Sequence, residues 1–453
     1  VTGALSSCAG SARFDLGEET AMVAVQHMLC QTVDLFRAVE AMGLRTENIF
    51  ALGKVYSNSA PVIAAIRKMG ITVVESTFPR PGEFDGSFEH DIKRLWETVA
   101  DQIAGRRIKR ILVLDDGGKC IINIPAELLA RYEVVGVEQT SHGMFLFERT
   151  PPPFAVISWA RAAVKLQIGG HIFSRCLIDK LHSEFLRGKS LDGLEIGIIG
   201  LGSIGRGLAD IALRHGAKVV FYDSDPDLKV PRYLRDRVTR LDSLEELLLS
   251  CEYLFGASGR NPFKDKWPMD HRPGIKLFSA SGGDQEFGPI IRDLRSSASF
   301  KVAEDTWDIT SNDGPCGPMH IAYLGFPYNF VSRAEEAVPT RIVQIETGGL
   351  LAALIQARAY FMSVENGETQ NSGIHRVSPD LQHFVLEVWL DAMQYRGIDI
   401  QKLYGYDRAQ LAAVNEDDWF EVYSEPGPAA DGSSERVEAL TRSIVEECLQ
   451  AAL

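Results

Sequence analysis

Long apolar runs are missing from this chain of 453 residues. No window holds the eighteen or so apolar residues that a membrane-crossing helix needs. The opening stretch VTGALSSCAGSARFDLGEETA lacks the positive start and apolar run of a secretory leader. Basic charge is scarce as well: 47 lysines and arginines stand against 61 aspartates and glutamates, for a formal charge of -14. A phosphate backbone or an anionic bilayer has to be met by a basic surface, and no basic stripe runs along this sequence. Cysteine is sparse and scattered, at 8, 30, 120, 176, 251, 316 and 448, with no CxxC and no Cys/His ligand spacing. That excludes a disulfide framework and a metal site of the usual spacing, and it suits thiols in a reducing compartment. Internal repeats and low-complexity tracts are absent too. The expectation is a cytoplasmic protein with a small-molecule substrate, no metal, and no nucleic-acid or membrane partner.

What is present is a globular composition, 45% apolar and 24% charged, over a length that calls for two or three cores. Helix and strand patterns alternate. Thr32–Leu44 and Phe88–Ile103 have apolar residues at helical spacing, while Ile71–Ser76, Arg110–Leu114, Glu133–Val137 and Phe154–Trp159 read as strands. A second βαβ run begins at Leu194, with further strands at EYLFGAS, IKLFSAS, FKVAED and HIAYLGF. Strands separated by helices predict parallel sheets. The expected fold is therefore α/β, with two doubly wound, Rossmann-like parallel-sheet domains and a helical appendage at the carboxyl end. Residues 1–170 with 340–365 form the first domain, 190–339 the second, and 366–453 the appendage. That last part contains a helix pattern at SPDLQHFVLEVWLDAMQY, a linker SEPGPAADGSS and a closing helix pattern ERVEALTRSIVEECLQAAL.

Gly200, Gly202 and Gly205 form G-x-G-x-x-G directly after the apolar run IGII and before a helix pattern, with Ser203 and Ile204 between them. The first glycine permits a tight turn, the second lets backbone approach a pyrophosphate, and the third allows close packing of helix on strand. The pyrophosphate then rests on the helix amino terminus. KVVFYD supplies the next strand, and Asp223 falls at the distance where an acid takes the ribose hydroxyls and repels an extra phosphate. NAD is the expected cofactor, with Ser258 at the end of EYLFGAS also assigned to its site.

The stretch ILVLDDGG at 111–118 sets two carboxylates at the end of a buried strand pattern, where ligands of open α/β sheets collect. Together with VQHMLCQT, KVYSNSA, GVEQTSHG, GLGSIGRG, DSDP and SGGDQEF, it resembles the adenosylhomocysteinase family from about Met22 to about Phe361. The resemblance implies hydrolase chemistry in one-carbon metabolism. A retained NAD would transiently oxidise a nucleoside or related thioether or polyol substrate, with elimination or hydrolysis to follow, in a homo-oligomer. It implies His27 and Asp116 as an acid–base pair, with Glu138 beside them as a third catalytic group. Ser57, Gln139, Thr140 and Lys165 would be substrate contacts and Asn329 a nicotinamide contact.

Departures accompany the likeness. Val164 and Ile168 replace the lysine and aspartate expected in SWARAAVKLQIGG, where Lys165 stands one residue away, and Gly282 and Val338 replace two histidines. Two alternatives follow: a catalytically retired NAD-binding sensor or scaffold, and a D-2-hydroxyacid dehydrogenase-like oxidoreductase. The last shares the glycine fingerprint and needs a carboxylate-anchoring arginine and a histidine paired to an acid. SASGGDQEF offers no such arginine.

Overall fold

The computed structural model describes residues 16–263, 269–314, 316–330, 338–366 and 372–404. The amino-terminal fifteen residues, the linker SEPGPAADGSS and the closing helix pattern lie outside them. The chain divides into two compact units: residues 1–76, 88–169 and 339–453, and residues 77–87 with 170–338.

The first unit is built on seven parallel strands. These are β1 (Thr20–Gln26), β2 (Ile49–Gly53), β3 (Thr72–Val74), β4 (Arg110–Asp115), β5 (Glu133–Glu138), β6 (Ala155–Ser158) and a strand at Gly373–Arg376. Their order across the sheet is Gly373–Arg376, β6, β5, β4, β1, β2, β3. Every residue of β1, β2 and β4 is buried, which is why these strands read as unbroken apolar runs rather than as alternation. Helices Cys30–Ala41, Ala60–Lys68 and Phe84–Ile103 connect the early strands. The longest helix, Thr340–Glu365, is apolar on nearly every side. Gly349 lets it press against Trp159, since a Cβ there would overlap the indole. Gln356 then fixes the edge strand: its Nε2 donates to the Arg376 carbonyl at 2.8 Å, and its Oε1 accepts from the Ser378 amide at 2.8 Å.

Two differences from the sequence reading have physical causes. Gly373–Arg376, a polar tetrapeptide following a polar gap, pairs in parallel with β6 because it lies at a sheet edge, where one side alone needs partners. The stretch around Lys165 is not extended. Lys165–Gly169 form a π-helical turn that runs into the helix Gly170–Lys180.

The second unit contains β7 (Glu195–Ile199), β8 (Lys218–Tyr222), β9 (Val238–Arg240), β10 (Tyr253–Gly256), β11 (Ile275–Ser279), β12 (Lys301–Val302), β13 (Ile309–Gly314) and β14 (Gly317–Ile321). The sheet order is β12-β13-β14-β11-β10-β7-β8-β9. From β9 to β14 the strands are parallel, while β13 and β12 add an antiparallel edge. Helices Ser203–Arg214, Leu244–Ser250 and Gly288–Leu294 complete the winding. Residues 77–87 belong to this unit. Arg292 donates to the Gly82 carbonyl at 2.7 Å, Arg295 pairs with Glu83 at 2.7 Å, and the Phe84 amide donates to Asp284 at 3.1 Å. Both units are thus doubly wound parallel-sheet α/β domains of the Rossmann-like class. Among the described residues no helix is long and apolar enough to cross a membrane.

Candidate functional site

In a doubly wound sheet the strand order reverses at one point, and the crevice beyond the strand ends there is where ligands bind. In the first unit the reversal falls between β1 and β4. The residues that follow those strands and their neighbours carry the polar side chains. His27 follows β1, Lys54 and Ser57 follow β2, Asp116 follows β4, and Gln139 and Thr140 follow β5.

They form one network. His27 Nδ1 is 2.6 Å from Ser57 Oγ, and its Nε2 is 3.3 Å from Asp116 Oδ2. Lys54 Nζ donates to Asp116 Oδ1, and Gln139 Nε2 donates to Asp116 Oδ2. Gln26 Nε2 closes the set on Gln139 Oε1 at 3.3 Å. Burial works against the charge on Asp116, but the Lys54 ammonium and His27 outweigh it and hold the carboxyl well below the usual range. Lys54 is buried too, yet Asp116 raises its pKa above the ordinary value. For His27, burial wins over the pull of Asp116, with Lys54 and Lys165 adding to the effect, so its pKa is lowered. Near neutral pH this arrangement is a buried ion pair beside a neutral imidazole. Because Asp116 has no proton to give, Nε2 is assigned the ring hydrogen.

Asp115 and Glu138 are neighbours in register across β4 and β5. Neither has solvent exposure. Burial pushes Asp115 up to about 7 while its Oδ2 accepts from the Ile121 amide at 2.9 Å. Burial, and then the charge of Asp115, push Glu138 well above the carboxylate range. Glu138 Oε1 accepts from the Thr140 amide at 2.7 Å, the Thr140 hydroxyl at 2.5 Å and the Gly117 amide at 3.2 Å. Its geometry is that of a brace between two loops, and the network around Asp116 is built without it. Thr140 in turn caps the helix Ser141–Arg149 through the Gly143 amide at 3.0 Å. Lys165 pairs with Glu346 at 2.8 Å, and Glu346 also accepts from Trp159 Nε1 at 2.9 Å. Sequence reasoning passed over Lys54 and Glu346. A lysine directly after the wholly apolar IFALG was the available signal for the first; nothing local marks the second.

In the second unit the reversal lies between β7 and β10, and the fingerprint glycines sit there. Gly200 has φ +88°, and a Cβ on it would stand 2.7 Å from Ser258 Cα. A Cβ on Gly205 would overlap the Gly200 carbonyl oxygen, so the helix Ser203–Arg214 comes as close to β7 as backbone allows. Gly202, which precedes the helix, has nothing within 4 Å of its would-be Cβ. That open approach at a helix amino terminus fits a pyrophosphate. Asp223 stands at the end of β8 with Oδ2 on the Leu201 amide at 2.7 Å and Oδ1 on the Asp225 amide at 3.0 Å. Ser203 packs on Gly170, and the Ile204 carbonyl accepts from Ser174 at 2.8 Å. Asn329 is buried after the Ser279–Pro327 bridge, its carbonyl 3.8 Å from Cys176 Sγ.

Residues 175–262 match the model of the D-isomer specific 2-hydroxyacid dehydrogenase NAD binding domain. NAD, expected from the fingerprint, is the cofactor these residues fit. Two uncharacterized proteins of Mycobacterium tuberculosis, from strains CDC 1551 and H37Rv, are each 29% identical to this protein over 318 residues. The alignment covers 68% of this sequence and 58% of theirs, so the protein spans under two thirds of the length of the relatives it matches. Among solved structures, a D-isomer specific 2-hydroxyacid dehydrogenase family protein from Aeromonas salmonicida is 14% identical at TM-score 0.36, with 79% of this protein and 99% of that one covered. NAD-bound 3-phosphoglycerate dehydrogenase of Entamoeba histolytica is 11% identical at TM-score 0.36, covering 79% and 100%. A dipicolinate synthase from Bacillus subtilis is 10% identical at 0.35, covering 77% and 98%. At such scores the structural likeness does not bear on function.

The family match overturns the resemblance to adenosylhomocysteinases, and with it the hydrolase chemistry and the place in one-carbon metabolism. The error has a physical root. Polar residues after parallel strands and a glycine turn before a helix are demands of any doubly wound nucleotide-binding fold, so a series of them is less specific than its length suggests.

Proposed function

We propose that this protein is an NAD-dependent oxidoreductase of the D-2-hydroxyacid dehydrogenase kind, acting on a small 2-hydroxy acid or its 2-oxo counterpart. The observation that carries the reading is the glycine turn with Asp223 bonded to the Leu201 amide, inside the segment that matches that family's NAD-binding domain. Gly200, Gly202, Ser203, Ile204, Gly205, Asp223, Ser258 and Asn329 would hold the cofactor, which supplies a hydride acceptor when bound. Oxidation of a 2-hydroxy acid also releases the hydroxyl proton, and the neutral His27 is a base able to take it at Nδ1 through the Ser57 hydroxyl 2.6 Å away. Asp116, 3.3 Å from Nε2, steadies the imidazolium that forms, and Lys54 keeps Asp116 ionised. His27 and Asp116 would be the histidine–acid pair that this chemistry needs. SASGGDQEF offers no carboxylate-anchoring arginine, and Lys165 would take the part of that anchor, exchanging its pair with Glu346. Ser57, Gln139 and Thr140 would line the substrate. Cys120, Cys176 and Cys251 are buried thiols, which supports work in the reducing cytoplasm.

The test follows NADH absorbance with a panel of 2-oxo acids. Turnover in the ordinary range, on the order of 1–1,000 per second, is expected for at least one acid. His27→Ala should lower it about 100- to 10,000-fold with little change in NAD affinity. NAD binding without oxidation or reduction of any acid would discard the dehydrogenase reading and leave a cofactor-binding protein without this chemistry.

A further inference from the structure

The crevice between β7 and β10 has two walls. The Gly200–Gly205 turn forms one, and the segment that leaves β10 at Ser258 and Gly259 forms the other, within van der Waals reach of Gly200. The second wall has no glycine fingerprint to shape it. Two side chains from further along hold it: Ser281, which accepts from the Gly259 amide at 3.0 Å, and above all Glu286, 28 residues beyond Ser258.

Glu286 lies just before the helix Gly288–Leu294 and has no solvent exposure. Its Oε1 accepts from the Ser258 amide at 2.7 Å, the Ser258 hydroxyl at 2.6 Å, the Gly259 amide at 3.2 Å and the Ser281 hydroxyl at 2.9 Å. Four donors converge on one oxygen. Oε2 is buried with no hydrogen-bond partner and packs against β10 where Gly256 leaves room. A Cβ at Gly256 would overlap it. A carboxylate is costly to bury, and burial does push this one up to about 7. Such a group persists where a precise arrangement of backbone depends on it.

We infer that Glu286 is the positioning residue of the dinucleotide crevice: by gathering the Ser258 and Gly259 amides and the Ser281 hydroxyl onto one oxygen, it holds the wall facing the glycine turn in its ligand-ready shape. The inference rests on the NAD reading above and adds to it a residue that neither the fingerprint nor the matched segment, which ends at residue 262, includes. Glu286 itself touches the loop, at Ser258 and Gly259. Removing the acceptor takes away the Ser258 amide's acceptor and leaves the Gly259 amide on the Ser281 hydroxyl at 3.0 Å, and the loop is then free to turn the Ser258 amide toward water.

The experiment measures NAD affinity by calorimetry, and amide hydrogen exchange at Ser258 and Gly259, for the wild type, Glu286→Ala and Glu286→Gln. The glutamine keeps an acceptor oxygen in the same place and should bind NAD within about threefold of wild type. The alanine should bind at least about tenfold more weakly, and exchange at the Ser258 amide should speed up while the helix Ser203–Arg214 keeps its protection. Gly256→Ala, which displaces the carboxylate without touching Glu286, should resemble Glu286→Ala and serves if that variant folds poorly. Equal NAD affinity in wild type and Glu286→Ala overturns the inference alone. Equal losses in the alanine and glutamine variants overturn it too, because the role claimed belongs to the acceptor oxygen. A wild type that binds no NAD overturns the cofactor reading and this role together, whatever the exchange shows.

Discussion

The two units solve the same problem with opposite materials. Each places its polar chemistry at the strand-order reversal of a parallel sheet. The first unit does so with side chains: Lys54, Asp116, His27, Ser57 and Gln139 project from four strand ends and satisfy one another. The second does so by leaving side chains out, so that Gly200, Gly202 and Gly205 expose backbone amides and let helix and strand close up. A site made of side chains is chemically specific and expensive to bury. One made of missing side chains is generic, cheap and recognisable anywhere it occurs. The family match falls on the second kind, which is the part of the molecule least able to tell one substrate from another.

This contrast can be broken at its strongest point first. Lys54→Met leaves Asp116 buried without its main partner and should cost about 3–5 kcal/mol of stability in denaturant melts. It should also raise the His27 pKa, because Lys54 opposes protonation there. A loss below about 1 kcal/mol would mean that the side-chain site is not the costly one. Gly205→Ala comes next. Its methyl must push the helix off the Gly200 carbonyl, with an overpacking penalty of about 1–3 kcal/mol and a clear loss of NAD affinity by calorimetry. Unchanged binding would show that the close approach is dispensable.

A subtler effect concerns pH. Asp115 is pushed up to about 7, whereas the unfolded chain loses that proton near pH 4. Between those values the folded chain binds the extra proton, so this group's contribution to stability falls as pH rises, by at most about 1.4 kcal/mol per pH unit. Asp115→Asn should flatten that slope in melts run across the same window. An identical slope in the variant would assign the titration to another group. Ser57→Ala is the mildest change. Losing the 2.6 Å bond to His27 should cost about 0.5–1.5 kcal/mol and lower turnover more than NAD affinity.

How much of this was legible beforehand follows from the same contrast. The strands β1, β2, β4 and β7 stand out because burial on both faces demands unbroken apolar runs. The glycine turn stands out because its constraint is steric and contiguous. Asp115 and Asp116 stand out together, and it is the family resemblance rather than the residues themselves that singles out Asp116 as the acid and leaves Asp115 its neighbour: adjacent residues leaving a strand point to opposite sides, and only the partners decide which carboxyl stays ionised. Lys54 carries only a weak signal, its place directly after an apolar strand, because a lysine there usually faces water. Burial here depends on Asp116, sixty-two positions away. Glu346 and Glu286 were hidden for the same reason. The strands β9 and Gly373–Arg376 are too short and too polar to carry a pattern of their own. The π-helical turn at Lys165 breaks both periodicities, so neither the strand nor the helix template could have found it.

The edge strand at Gly373–Arg376 has one more implication, for the order in which the molecule is made. The first unit's sheet lacks its final strand, and its core lacks the helix Thr340–Glu365, until the ribosome has passed the entire inserted segment 170–338. At about 5–20 residues per second, those roughly 170 residues impose a delay of about 8–35 seconds. During that interval β6 presents an open edge and Trp159 lacks the glycine-lined helix that covers it. The second unit, contiguous apart from residues 77–87, faces no comparable wait. Synthesis therefore runs through a stage in which the fingerprint-bearing unit can be complete while the unit with the charged cluster is still half built. That stage is where a chaperone has the most to hold.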